Sequence, residues 1–332
     1  LRIDSVVWVA GGDTLPGRAI LGALRRRGFT AVANFTEGEP DLLDEAATEA
    51  FLRRVAPGHV FLAAGRSGGI GENSARPASL MLHNLRVTLS VVRGALACGA
   101  RRLLHVGSSC GYPRDCAQPM APASLWTGPL EPTSGPYAVA RLSGAVLCAA
   151  CRREYGSDFF SVIPPSLYGP GDDFSAETGH VVPALLRKMD EAKRAGEPFV
   201  TLWGTGRPRR ELLFADDFGD GALFLMERYG GEGPVNVGGG EAVSVAELAG
   251  KVSRVVGYGG ELRFDASKPD GAPVKVLDAS EVAALGWRPS TTLDSGLAAA
   301  YRAYLAEREG EGPGGGKGGG GGTTGPVREE EA

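Results

Sequence analysis

The apolar pattern along the chain predicts its elements. Val6-Val-Trp-Val-Ala10 is a short, continuous apolar run that ends in the glycine-rich turn Gly11-Gly-Asp-Thr-Leu-Pro-Gly17. Such a run, bounded by turn residues, reads as a buried strand. A helical pattern follows over residues 18–27 and stops at Gly28, a residue type that ends helices without steric cost. Residues 30–35 predict a second strand, 44–55 a helix, and 59–64 a third strand. A helix over about 79–98, a strand over 102–106, a helix over 137–155 and a strand over 159–163 continue the alternation. Strand and helix in strict alternation predict an α/β fold, a Rossmann-type doubly wound parallel sheet.

The texture changes after Pro170. Helical stretches near 181–194 and 245–256 mix with short strands and loops. Three parts follow from this reading: residues 1–170 as a nucleotide-binding domain, 171–308 as a smaller lobe interwoven with it, and 309–332 as a glycine-rich disordered tail. No internal repeat is visible.

Composition narrows the class. The chain has 332 residues, 43% hydrophobic and 22% charged, with a net charge of −4. No global basic field draws it to nucleic acid or anionic membrane, so a small anionic ligand needs a local positive site. No apolar run reaches the length of a membrane span, and the N-terminus lacks a signal-peptide pattern. Five scattered cysteines suit a reducing, cytoplasmic compartment better than a disulfide framework. Cys148 and Cys151 have redox or zinc spacing but no second Cys/His pair nearby, and read as small apolar helix residues. No metal site is expected.

Three motifs carry chemistry. Gly11 and Gly17 bracket a tight turn that could bring bare backbone and a helix N-terminus to a pyrophosphate. Thr14 and Pro16 weaken that signal, the first by adding a Cβ and the second by removing an N–H. Next, Gly107-Ser108-Ser109-Cys110-Gly111-Tyr112-Pro113 follows a strand directly. Finally, Tyr137-Ala-Val-Ala-Arg141 opens a helix and places a phenol and a cation four residues apart on one face. The cation favours the phenolate, so the tyrosine can donate a proton to a carbonyl oxygen while hydride arrives at carbon. The Ser108 hydroxyl can hydrogen-bond the same oxygen.

On these runs the chain resembles the extended short-chain dehydrogenase/reductases, and within them the GDP-4-keto-6-deoxymannose epimerase-reductases. Further matching runs are Thr127-Gly-Pro-Leu-Glu-Pro-Thr133, Leu167-Tyr-Gly-Pro170, Gly179-His-Val-Val-Pro-Ala-Leu185, Trp203-Gly-Thr-Gly206, Arg209-Arg-Glu211 and Ser267-Lys-Pro-Asp-Gly271. The likeness extends over about residues 6–305. It implies NADP(H) as cofactor, a GDP-sugar as substrate and a homodimer joined through the helices near 79–98 and 137–155. Ser108, Tyr137 and Arg141 match the carbonyl-reducing group. Cys110 and His180 match the pair that moves protons at C3 and C5 during epimerisation. Gly11, Gly17, Glu37, Ala63, Gly107, Arg141, Pro164, Leu167 and His180 fall on cofactor-contacting positions. Lys188, Trp203, Arg210 and Asp270 fall on substrate-binding positions. His59, His83 and His105 read as structural, as does Asn84.

The chain departs from this pattern mainly at the cofactor. Gly12-Asp13 stands where His-Arg is usual, Thr14 where glycine is, Glu37 where arginine is common, and Arg141 where lysine is. Arg66-Ser67 replaces Lys-Val, Pro165-Ser166 a Thr-Asn pair, and Gly171-Asp-Asp173 Asn-rich text. Asp13 and Glu37 remove positive charge from the place of a 2′-phosphate, so NAD(H) is a possible cofactor beside NADP(H). Arg141 cannot release a proton, and slowed hydride transfer is expected from it. An alternative to the enzyme is a catalytically impaired paralogue that binds a nucleotide sugar as a regulatory subunit.

Overall fold

The computed structural model describes residues 1–33, 38–175, 179–268 and 270–310. In chain order the first half runs β1 (Val7–Ala10), α1 (Leu15–Arg26), β2 (Val32–Ala33), α2 (Glu45–Val55), β3 (His59–Leu62), α3 (Ile70–Ala75), α4 (Pro77–Ala97), β4 (Arg102–Val106), α5 (Gly135–Tyr155) and β5 (Asp158–Ile163). The second half runs β6 (Ser166–Tyr168), α6 (Val181–Ala195), β7 (Phe199–Trp203), β8 (Arg209–Phe214), α7 (Ala215–Arg228), β9 (Val235–Asn236), β10 (Ala242–Ser244), α8 (Val245–Val256), β11 (Glu261–Asp265), β12 (Val274–Lys275), α9 (Ser280–Ala284) and α10 (Leu293–Gly310).

The main sheet is parallel, in the order β2-β1-β3-β4-β5-β9. Its strands are apolar because helices cover both faces. On one face α1 and α7 pack over Val7, Val9, Phe61, Leu104 and Phe160. On the other, α2, α4 and α5 pack over Trp8, Val60, Leu62, Leu103 and Phe159. Trp8, Phe61 and Phe159 are fully buried, and each such side chain contributes about 1.5–3 kcal/mol to folding.

In the second half, α7 and β9 return to the main sheet. The rest forms a smaller body. β8 pairs with β10 and β12 through its first residues and with β6 through its last, while β7 pairs with β11. Helices α6, α8 and α10 close over these strands around Leu186, Met189, Val252 and Leu297. Asp190 of α6 clips α10 in place. It accepts hydrogen bonds from Tyr301 (2.8 Å) and Arg308 (2.6 Å), and from Arg194 of its own helix (2.9 Å).

Element ends differ from the sequence reading by a few residues, and three differences matter here. Helix α1 starts at Leu15 because Thr14 caps it. The second strand is confined to Val32–Ala33: residues 30 and 31 are not strand, and residues 34 and 35 of the predicted span lie outside the described residues. Helix α10 continues through Gly310, so 309 and 310 are helical, and the remainder of the expected tail lies outside the described residues. Among the described residues, no helix is long and apolar enough to cross a membrane.

Candidate active site at the carboxyl edge of the sheet

From β1 the chain crosses to β2 on one side and then to β3 on the other. Reversal of strand order opens a crevice at the carboxyl ends of the strands. The glycine-rich turn sits in it. Gly11 has φ +77°, and a Cβ there would meet Ala64 Cα at 2.4 Å. A Cβ on Gly17 would meet Gly11 O at 2.0 Å. Both positions therefore require glycine. Thr14 has φ −75° and needs no glycine. Its hydroxyl donates to Gly11 O (2.8 Å) and accepts from Gly17 N (3.1 Å), closing the turn and capping α1. That cap uses one helix-mouth donor, and Pro16 supplies none, so phosphate binding there relies on fewer amides. Glu39 accepts from Gly11 N at 3.2 Å, and burial pushes its carboxyl up to about 7.

Three of the other expected cofactor positions lie on the same edge, Ala63 after β3, Gly107 after β4 and Pro164 after β5, whereas Leu167 lies in β6, which pairs with β8 outside the main sheet. Buried Asn84 pins the loop after β3 to α4, with Nδ2 donating to Arg66 O (2.9 Å) and Leu80 O (2.8 Å). Asp13 is exposed beside the turn. Glu37 lies outside the described residues.

Tyr137 lies in the first turn of α5 and is buried. Arg141, one turn on, is buried beneath it, with its guanidinium carbon 5.6 Å from the Tyr137 ring centre. The guanidinium donates to Ala64 O at 3.0 Å and to Val106 O at 3.5 Å, the carbonyls at the ends of β3 and β4. It thus ties the helix to the strand edge. His105 below it is fully buried, hydrogen-bonded to Ser161 at 3.0 Å, and pushed down to about 3 by burial and then by Arg141, so it is neutral.

Ser108 and Cys110 stand on the short turn after β4. Leu142 of α5 packs directly on Gly111, which brings this turn to the helix that carries Tyr137. Ser108 Oγ accepts from Cys110 N at 3.2 Å and fixes the turn. Two cations approach Cys110 from the smaller body. Lys275 Nζ lies 3.9 Å from its sulfur, and half-buried Arg210 lies within electrostatic reach. Arg210 also points at the Asp270 segment, with Nη2 3.5 Å from Asp270 O. The Asp270 carboxylate accepts from Thr205 N (2.6 Å) and Thr205 Oγ1 (2.7 Å), bonds that hold it below the usual carboxylate range.

His180 immediately precedes α6. Its Nε2 lies 3.5 Å from Ser67 Oγ, so the departure at Ser67 places a hydroxyl against the expected proton carrier. Burial lowers its pKa, while Asp173 and Glu72 act in the opposite direction. Trp203, at the end of β7, is 68% exposed, leaving its ring available to a flat partner, with Lys268 Nζ at 5.6 Å. Lys188 is not poised toward an anion here, because its ammonium donates to the Thr201 carbonyl.

Three contributors escape a reading of motifs. Lys275 is one. Glu39, two residues beyond Glu37, braces the turn itself. Glu211 is the third: it is buried, and its carboxylate accepts from Gly239 N (2.8 Å), Gly240 N (2.9 Å) and Leu277 N (2.7 Å). It thereby fixes the segment that carries Lys275 beside the strand that carries Arg210. Its place in the Arg209-Arg-Glu211 run was a signal, but its partners were not. Cys148 is pushed up to about 12 by burial and Cys151 is also raised, which agrees with an apolar packing role. Among the described residues, no group of His, Cys, Asp and Glu could hold a metal ion.

A parallel sheet with a glycine-cradled turn and a Ser/Tyr pair at its carboxyl edge defines a nucleotide-dependent dehydrogenase-type protein. Residues 7–238 match the NAD dependent epimerase/dehydratase family, and the chain belongs to that family. It is 46% identical over 300 residues to probable GDP-L-fucose synthase 1 of Oryza sativa subsp. japonica, covering 90% of this chain and 92% of that protein. It is 39% identical over 312 residues to GDP-L-fucose synthase of Escherichia coli strain K12, covering 91% and 97%. Among solved structures, GDP-mannoheptose C4 reductase from Campylobacter jejuni with NADP bound superposes with a TM-score of 0.83 at 28% identity, covering 92% of this chain and 99% of that one.

Proposed function

We propose that the chain is a GDP-L-fucose synthase, which epimerises GDP-4-keto-6-deoxy-D-mannose at C3 and C5 and reduces it at C4. The observation that carries this is the gathering of Tyr137, Ser108 and Cys110 on one strand edge, faced by Arg210 and Lys275 from the smaller body. The named relatives act in the same chemistry.

The roles follow from the side chains. The C4 ketone acidifies the protons on C3 and C5. The Cys110 thiolate removes a proton from carbon, the C–H electron pair moves into an enolate on the C4 oxygen, and His180 returns a proton on the other face. Ser108 hydrogen-bonds the C4 oxygen and Tyr137 protonates it. NADP(H) supplies the hydride. Gly11 and Gly17 fit such a cofactor because each leaves backbone bare where a Cβ would fill the cradle. Arg141 sets a fixed positive charge beneath Tyr137. Trp203 offers a stacking face to guanine, and Arg210 offers charge to the diphosphate. Lys188 joins the diphosphate on leaving the Thr201 carbonyl, and Asp270 aligns Arg210.

A homodimer is part of this reading. Leu82 and Leu89 of α4 and Val146 of α5 are exposed apolar residues, suited to a four-helix contact across a two-fold axis.

The test is turnover. Purified protein is mixed with GDP-4-keto-6-deoxymannose and NADPH or NADH, nicotinamide oxidation is followed, and the sugar product is identified. GDP-fucose formed with NADPH is the expected result. Faster turnover with NADH would assign the cofactor shift to Asp13 and Glu37. No oxidation of either by folded protein overturns the proposal.

A further inference from the structure

Cys110 lies on the short turn after β4, and its ionisation decides whether it can take a proton from carbon. A thiol is a poor base until ionised, and a neighbouring cation is the usual means of ionising it. The turn does not supply one. Its own polar contact near the sulfur, Ser108 Oγ to Cys110 N, engages the backbone and leaves the thiol aside.

The cations come from the register of the smaller body. In the parallel β8–β12 pair, Lys275 is the direct partner of Arg210. Residues paired in this way point to the same face of a sheet. Both side chains therefore leave one face together, and that face meets the turn after β4. Lys275 Nζ reaches 3.9 Å from Cys110 Sγ. Asp270 accepts from Thr205 and Glu131 lies 3.7 Å from Arg114, and both carboxylates also act on Arg210. Lys275 is therefore the cation set directly against the sulfur. Glu211 holds the register through Leu277 N, two residues beyond Lys275.

We propose that Lys275 is a positioning residue for Cys110, its ammonium set against the sulfur that accepts the C3 or C5 proton. This rests on the epimerase reading for its purpose, but the Lys275–Cys110 pairing can be tested apart from it. In the proton transfer the C–H bond breaks, an S–H bond forms, and the electron pair moves into the enolate. The ammonium keeps its proton throughout. When the thiol later releases its proton to solvent, the ion pair re-forms.

The experiment measures alkylation of the substrate-free protein by iodoacetamide at pH 7, with each cysteine followed by peptide mass spectrometry. The reagent is neutral, so the ammonium does not steer it. Cys98, half-buried at the C-terminal end of α4, serves as the internal reference. Lys275→Met is expected to slow Cys110 alkylation about tenfold, the effect of removing one adjacent opposite charge, and to leave the reference site unchanged. Lys275→Arg, which keeps the charge, is expected to alkylate at close to the native rate. Unchanged Cys110 reactivity in Lys275→Met overturns the proposal, and weaker GDP binding with unchanged reactivity makes Lys275 a phosphate ligand alone. If Lys275→Arg is as slow as Lys275→Met, shape rather than charge is responsible and the proposal also fails. Should Lys275→Met fold poorly by circular dichroism, Lys275→Gln is read in its place. Absence of solvent deuterium uptake at C3 and C5 by native protein would refute the epimerase reading without touching the alkylation result.

Discussion

The two sides of the crevice are built by different means. On the cofactor side, main-chain atoms make the shape: Gly11 against Ala64, Gly17 against Gly11 O, Thr14 and Glu39 bonded to backbone of the same turn. On the side proposed for the sugar, side chains from well-separated segments are assigned: Cys110, Tyr137, His180, Arg210 and Lys275. The contrast teaches where change is tolerated. Departures from the family pattern at Gly12, Asp13 and Thr14 leave the turn closed, because the contacts that close it run through backbone or through Thr14 itself. A site made of side chains has no such reserve.

Tyr137→Phe is the most severe test of the contrast. It removes one hydroxyl from the sugar side and leaves the turn untouched. NADPH oxidation is expected to fall by roughly 10²- to 10⁴-fold, with NADPH affinity unchanged by fluorescence titration. A loss below tenfold would place the proton donor elsewhere.

Arg141→Lys probes the boundary between the sides, since Arg141 is anchored on the Ala64 and Val106 carbonyls and lies beneath Tyr137. A compact ammonium can approach both the phenol and a ribose hydroxyl, where the planar guanidinium is committed to its carbonyls. Single-turnover hydride transfer is expected to speed up, on the order of several-fold. An unchanged rate would mean that the anchored guanidinium serves as well as lysine.

Glu39→Gln has the smallest effect and sharpens the cofactor side. The carboxyl titrates at about 7 in the folded protein against 4.5 when free, so folding takes up a proton between those values. Its contribution to stability is fully present below pH 4.5 and is lost as pH rises through about 7. Glutamine stays neutral and can still accept from Gly11 N. The variant's melting temperature should therefore gain on the native protein between pH 5 and 8, by roughly 2–4 °C. Parallel melting profiles would show that Glu39 ionises in place at little cost.

Much of this was legible in the sequence because it is local. The strand–helix alternation, the paired glycines, the Ser108–Cys110 run and the Tyr137–Arg141 spacing are all set by neighbouring residues. What sequence reading missed depends on register. Lys275 meets a sulfur 165 positions away only because β12 pairs with β8 in one alignment. Likewise the seat of Arg141 depends on carbonyls at two strand ends, and the conformation of Lys188 on a neighbouring strand's carbonyl. By spacing alone Thr14 reads as an intruder in the turn. Its extended backbone and two-way hydroxyl make it the cap instead, which no spacing rule reveals.

Glu211 also sets an order of events as the chain folds. Its three amide partners come from residues 239, 240 and 277, the last 66 positions away, so the buried carboxylate stays unsatisfied until distant segments have arrived. The shorter of these closures precedes the longer on loop-length grounds. Pulse-labelled hydrogen exchange during refolding should find the amide of Leu277 protected later than those of Gly239 and Gly240. Until Leu277 docks, the segment that carries Lys275 has no fixed place beside Arg210.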